Sequence, residues 1–134
     1  MQTTTAILLV LFFSFAQGKR IHVEVTGKIS CSASGASNKF AMLELFLDRA
    51  QKAAVYFDGK YGKMEIGGDA EFSEAALKPI TPRIKVTHSC FENKKEVSFI
   101  IALDPTTKNI TIHLHSIELY NVTSYAVTMI NASH

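Results

Sequence analysis

The chain has 134 residues, 47% of them hydrophobic, with 14 basic against 12 acidic side chains and a formal net charge of +2. That length allows one domain with a modest core. The balanced charge, whose basic doublets are Lys19-Arg20 and Lys94-Lys95, gives no footprint for nucleic acid.

Residues 6 to 16 (AILLVLFFSFA) form an apolar run too short for a membrane span, followed by small residues at Ala16 and Gly18. The pattern is that of a secretory signal peptide over residues 1–18, with Lys19 opening the mature chain. No later stretch is long and apolar enough to be a transmembrane segment, so residues 19–134 are expected to form one secreted, extracellular domain. A tail from about residue 122 is expected to be flexible.

Beyond the leader, period-2 alternation is nearly continuous. Ile21, Val23 and Val25 alternate with His22, Glu24 and Thr26 in a strand with one buried face. In FAMLELFL, Leu43, Leu45 and Leu47 share one face, while Glu44 and Phe46 share the other. A third strand is expected over Ala53 to Phe57, and a fourth around Met64 and Ile66 that Gly67-Gly68 would stop. DAEFSEAALK, from Asp69 to Lys78, tolerates one or two helical turns, with Asp69 as cap and Phe72, Ala75 and Ala76 on one side. Ile84 and Val86 mark another strand, and VSFIIAL, apolar on both faces, suits a central one. Ile110, Ile112 and Leu114 hold even positions while Ile117 and Leu119 hold odd ones, which requires a bulge or bend near His115-Ser116. About seven short strands with Gly, Asn and Pro between them predict an all-β antiparallel sandwich with at most one short helix.

Export makes a bridge between the two cysteines, Cys31 and Cys90, the default, with two free thiols as the alternative. Sequons at Asn109, Asn121 and Asn131 are candidate glycosylation sites and agree with an extracellular location.

The stretch PRIKVTHSC, a PxIxVxHxC pattern from Pro82 to Cys90, resembles the signature of the nematode transthyretin-like proteins. A VxGxIxC-like opening stands at Val25, Gly27, Ile29 and Cys31, and a strand end with aspartate at Leu45 to Asp48. The family's Gly-x-Phe-x-Leu-x-Gly element is matched by Gly62, Met64, Ile66 and Gly68, with methionine where phenylalanine is usual. This resemblance spans residues 21–121 and implies a transthyretin-like β-sandwich in which Cys31 and Cys90 pair.

His88 and Cys90 point to the same face of a strand, a spacing that suits two metal ligands, but a zinc site needs further ligands and a bridged cysteine supplies no thiolate. His113 and His115 have the same spacing and read as a solvated strand face. No metal or other cofactor is expected. His22 is the nearest match to the first-strand histidine of 5-hydroxyisourate hydrolases, which share the transthyretin fold. Their mid-chain arginine and C-terminal Tyr-Arg-Gly-Ser have no counterpart, since the chain ends NVTSYAVTMINASH and no arginine follows Arg83. One histidine without its constellation is not an active site, so no catalytic residue is assigned. The expected function is non-catalytic binding of an extracellular or cell-surface protein through loops and edge strands. The alternative is carriage of a small hydrophobic ligand or lipid in a groove lined by exposed Phe46 and Phe91.

Overall fold

The computed structural model describes residues 18–35, 38–59, 61–73, 78–93, 95–124 and, for their backbone, 130–133. The expected signal peptide therefore lies almost wholly outside the described residues, as do residues 74–77 of the segment expected to be helical.

The described residues form strands β1 (Lys19–Ser30), β2 (Phe40–Leu47), β3 (Ala50–Asp58), β4 (Lys63–Phe72), β5 (Pro82–His88), β6 (Val97–Ala102), β7 (Ile110–Leu114), β8 (Ile117–Glu118) and β9 (Ile130–Ser133), with no α-helix among them. One sheet runs β4-β1-β7-β9, with β8 pairing the end of β1, and the other runs β3-β2-β5-β6. Most neighbours are antiparallel, but β1 runs parallel to β7 and β8, so the sandwich is not purely antiparallel.

Alternation along each strand builds the core between the sheets. Ile21, Val23 and Val25 of β1, with Ile112 of β7, face Leu43 and Leu45 of β2, Ile84 and Val86 of β5, and Ile101 of β6, all at most 1% exposed. The register change after β7 occurs where the alternation demands it. His115 and Ser116 lie outside the ladder, and Leu114, Ile117 and Leu119 are all buried. In the expected flexible tail, Ile130–Ser133 pairs with β7.

Gly67-Gly68 does not stop β4, and Asp69 to Phe72 continue the strand rather than starting a helix. The reason lies in a neighbouring strand. Leu45 pairs with Ala53 but Phe46 with Gln51, which leaves Lys52 as the extra residue of a bulge on β3. Lys52 is thereby pressed against β4, and a Cβ at Gly68 would meet its Cβ at 2.5 Å. The glycines are needed for close approach within a strand.

Cys31, just past β1, is bonded to Cys90, just past β5, with Cα atoms 5.9 Å apart, so the disulfide ties one sheet to the other. Closing a loop of this size contributes about 4 kcal/mol in the chain-entropy account.

Candidate functional site

The His-x-Cys end of β5 is a structural joint. His88 is fully buried, its Nδ1 accepting the Cys90 N–H at 3.0 Å and its Nε2 donating to the Val122 carbonyl at 2.7 Å. Its ring stacks on Phe91 at 5.0 Å and meets Phe99 edge-on at 5.9 Å. Burial pushes its pKa below the ordinary 6.5 against the opposing pull of the Val122 carbonyl, which keeps the ring neutral. Both nitrogens are occupied and the Cys90 sulfur is bonded, so the ring offers a metal no free nitrogen and the cysteine no thiolate. Beside the bridge, Glu118 accepts hydrogen bonds from Ser30 Oγ, Ser32 N and Oγ, and Tyr120 N, which locks β8 to the end of β1.

His22 stands on the opposite sheet in a different setting. The antiparallel register places it across from Asp69, and the parallel pairing of Val23 with Ile110 brings Asn109 to its backbone. Its Nδ1 lies 2.7 Å from Asp69 Oδ1, its Nε2 lies 2.8 Å from Glu24 Oε2, and its backbone N–H donates to Asn109 Oδ1 at 2.8 Å. The hydrogen bond to Glu24, then that to Asp69, raises its pKa above 6.5. With a carboxylate at each nitrogen, the protonated ring can donate both ways, and the two hydrogen bonds favour that form over the free lone pair a general base needs. The carboxylates sit on opposite sides of the ring, and among the described residues no three His, Cys, Asp or Glu side chains are grouped to hold a metal. A cleft of about 170 Å³ lined by His22, Asn109, Ile110 and Thr111 adjoins the cluster.

His113 does not share a strand face with His115. Its Nδ1 is 2.8 Å from Thr26 Oγ1 across the β1–β7 pair, whereas His115 lies past the end of β7. Phe91 is 8% exposed and covers His88, so it lines no groove with Phe46. Asn109 and Asn121 are both exposed, Asn121 in a turn at φ 58°, and the Asn131 side chain lies outside the described residues.

The outward face of the β3-β2-β5-β6 sheet carries a feature the alternation only hinted at. Phe40 stacks on Tyr56 at 5.9 Å, Met42 sits across from Tyr56, and the Arg83 guanidinium lies over the Phe46 ring at 5.9 Å. Tyr56 at 58% and Ile100 at 47% are the exposed large hydrophobic residues among those described, and both lie on this face. The signal in the sequence was that Phe40, Met42 and Phe46 occupy the strand positions opposite Leu43 and Leu45.

No family model matches the chain, and no curated protein matches it. No helix among the described residues is long and apolar enough to cross a membrane, and the paired cysteines fit an oxidising compartment.

Proposed function

We propose that the chain is a secreted, transthyretin-like binding module without catalytic activity, which contacts an extracellular or cell-surface protein through the outward face of the β3-β2-β5-β6 sheet. The single observation that carries this reading is that Phe40, Met42 and Tyr56 lie together on that face, with Phe46 further along the same face of β2 under the Arg83 guanidinium. Aromatic, methionine and arginine side chains together are the composition of interface centres. The reading moves the contact surface from loops to a sheet face, since Phe91 is committed to His88 and Tyr61 is half-buried against Phe57. The doubly hydrogen-bonded His22 supports the non-catalytic part.

A leader over residues 1–18 and glycans at Asn109, Asn121 and Asn131 belong to the same reading. Carriage of a small hydrophobic ligand or lipid has less support, because the clefts of about 170, 270 and 410 Å³ are open to solvent rather than enclosed.

The test is quantitative binding of labelled mature protein to cells and extracellular matrix of its source tissue. Met42→Lys with Tyr56→Ser should reduce binding at least about tenfold with the melting temperature nearly unchanged. Unaltered binding by that variant would refute the face assignment. Turnover of 5-hydroxyisourate above the spontaneous rate, lost in His22→Ala, would refute the non-catalytic reading.

A further inference from the structure

Asn109 is held by the strand beside it. Its Oδ1 accepts the His22 N–H at 2.8 Å, and because that partner is a donor, the amide atom facing it must be the oxygen. Nδ2, the atom to which a glycan is attached, is thereby set on the other arm of the amide. The parallel register explains the contact. Val23 pairs with Ile110, so Asn109 comes alongside His22 one step before β7 begins, and its side chain supplies an acceptor for β1 there.

The cleft of about 170 Å³ beside this amide is lined by Asn109, Ile110 and Thr111, the three residues of a sequon, and by His22. Asn109 and Thr111 share the outward face of the sheet, since Ile110 between them is buried. The cleft exists because His22 leans away from it. The ring's Nδ1 reaches Asp69 and a Cβ at Gly67 would meet its Nε2 at 3.1 Å, so the ring is drawn toward β4, on the side of β1 away from β7. The space over the β1–β7 pair is left open, with the ring as its side wall. Both ring nitrogens are held by carboxylates, so that wall offers ring carbon rather than a nitrogen. At about 170 Å³ the cleft is smaller than the roughly 300–1,000 Å³ of a site that holds a free small molecule. It suits one sugar ring already fastened to its wall.

We propose that this cleft is the seat of the chain's own glycan, in which the first N-acetylglucosamine on Asn109 docks with its apolar ring face against His22 and lies over Ile110 and Thr111. Attachment joins C1 of the sugar to Nδ2. The amide gives up one proton, and a lipid diphosphate carrier leaves from the donor oligosaccharide that the export machinery supplies. Oδ1 stays on the His22 N–H, because the new bond replaces only a hydrogen of Nδ2. Docking rests on the export and Asn109 glycosylation proposed above, and it adds where the sugar goes and what it covers. A glycan seated there shields the outward face of the β4-β1-β7 sheet and leaves that of the β3-β2-β5-β6 sheet as the open one.

The test uses the disulfide-bonded chain from a host that adds high-mannose glycans. Thr123→Ala and Ser133→Ala silence the other two sequons, and an endoglycosidase trims the glycan to one sugar. Intact mass shows whether Asn109 carries it. Nuclear magnetic resonance is then expected to show cross-peaks from the sugar ring protons to the His22 ring and the Thr111 methyl group, with shifted Ile110 and Thr111 amides relative to the same chain made without sugar in a bacterial host. The His22 amide proton should exchange slowly in both forms, and Asn109→Ala should speed its exchange roughly tenfold. His22→Ala, which keeps the sequon, should leave the sugar attached but lose its cross-peak to Thr111. The cross-peaks of the chain with His22 in place decide the matter if that variant does not fold. Absence of a sugar on Asn109 overturns the proposal together with the glycosylation it rests on. A sugar that is attached but shows no cross-peak to His22 overturns the docking alone and leaves export and glycosylation standing.

Discussion

The Cys90 N–H donates to Nδ1 of His88 at 3.0 Å, so the two residues of the HSC sequence that could have shared a metal instead hold one another in place. The opposite ring nitrogen reaches the Val122 carbonyl, which makes His88 the pin between the end of β5, the disulfide and the segment after β8. This arrangement has a pH dependence whose sign is fixed. Burial lowers the folded-state pKa of His88, so the unfolded chain takes up the proton more readily. The stability supplied by the neutral ring is complete above about pH 6.5 and is lost as pH falls through the lower folded value. His88→Gln should destabilise the domain by about 1–3 kcal/mol at pH 8, chiefly through the orphaned Cys90 N–H. The gap in melting temperature between wild type and variant should narrow as pH falls to 5; a constant gap would show that His88 does not titrate with unfolding.

His22 has the opposite sign. Its pKa is raised by Glu24 and then Asp69, so its contribution is complete below pH 6.5 and fades as pH rises through the folded value. Nuclear magnetic resonance titration should place its midpoint above 6.5, and Glu24→Gln should lower it. A midpoint at or below 6.5 in the wild type would leave the ring free to act as a base.

Removing the bridge with Cys31→Ser and Cys90→Ser together should lower the melting temperature by at least about 10 °C, since loss of about 4 kcal/mol acts on a domain of this size. Scanning calorimetry of the double variant beside the wild type checks this. A shift of only a degree or two would mean that packing between the sheets, rather than the cross-link, holds the β1 and β5 ends together.

The glycines in and just before β4 should rank by what their added Cβ would meet. Gly62→Ala opens onto empty space and should change stability by no more than about 0.5 kcal/mol. Gly67→Ala should cost more, because it displaces the mobile Glu24 carboxylate from His22. Gly68→Ala should cost most, roughly 1–3 kcal/mol, because it meets Lys52 at Cβ and β3 must move. Urea denaturation of the three variants gives the order, and a neutral Gly68→Ala would contradict the packing of β3 on β4.

How much of this could be read from the residues alone depended on how far each signal travels. Local alternation was enough for most of the strands and for the fault between Leu114 and Ile117, because inward and outward positions along one strand are set by its own period, but it misplaced VSFIIAL, which ends its sheet as β6 rather than running through the centre, and it missed β9. Gly67-Gly68 misled, since a glycine pair reads locally as a stop and its cause sits on another strand, at Lys52. The His22 cluster was half legible. Glu24 lies two residues away on the same face, whereas Asp69 and Asn109 arrive only through cross-strand registers that no local pattern encodes. Phe91 looked like a surface aromatic because nothing in the sequence showed that it would cover His88.

The most direct test of the proposed binding face is hydroxyl-radical footprinting of the mature protein, free and bound to whatever cell-surface or matrix protein it captures. The account predicts strong protection of Phe40, Met42, Phe46 and Tyr56 on binding, with the Asp58 to Lys63 and Phe91 to Lys95 turns labelled as in the free protein. Protection confined to those turns, with Met42 and Tyr56 still fully reactive, would contradict it.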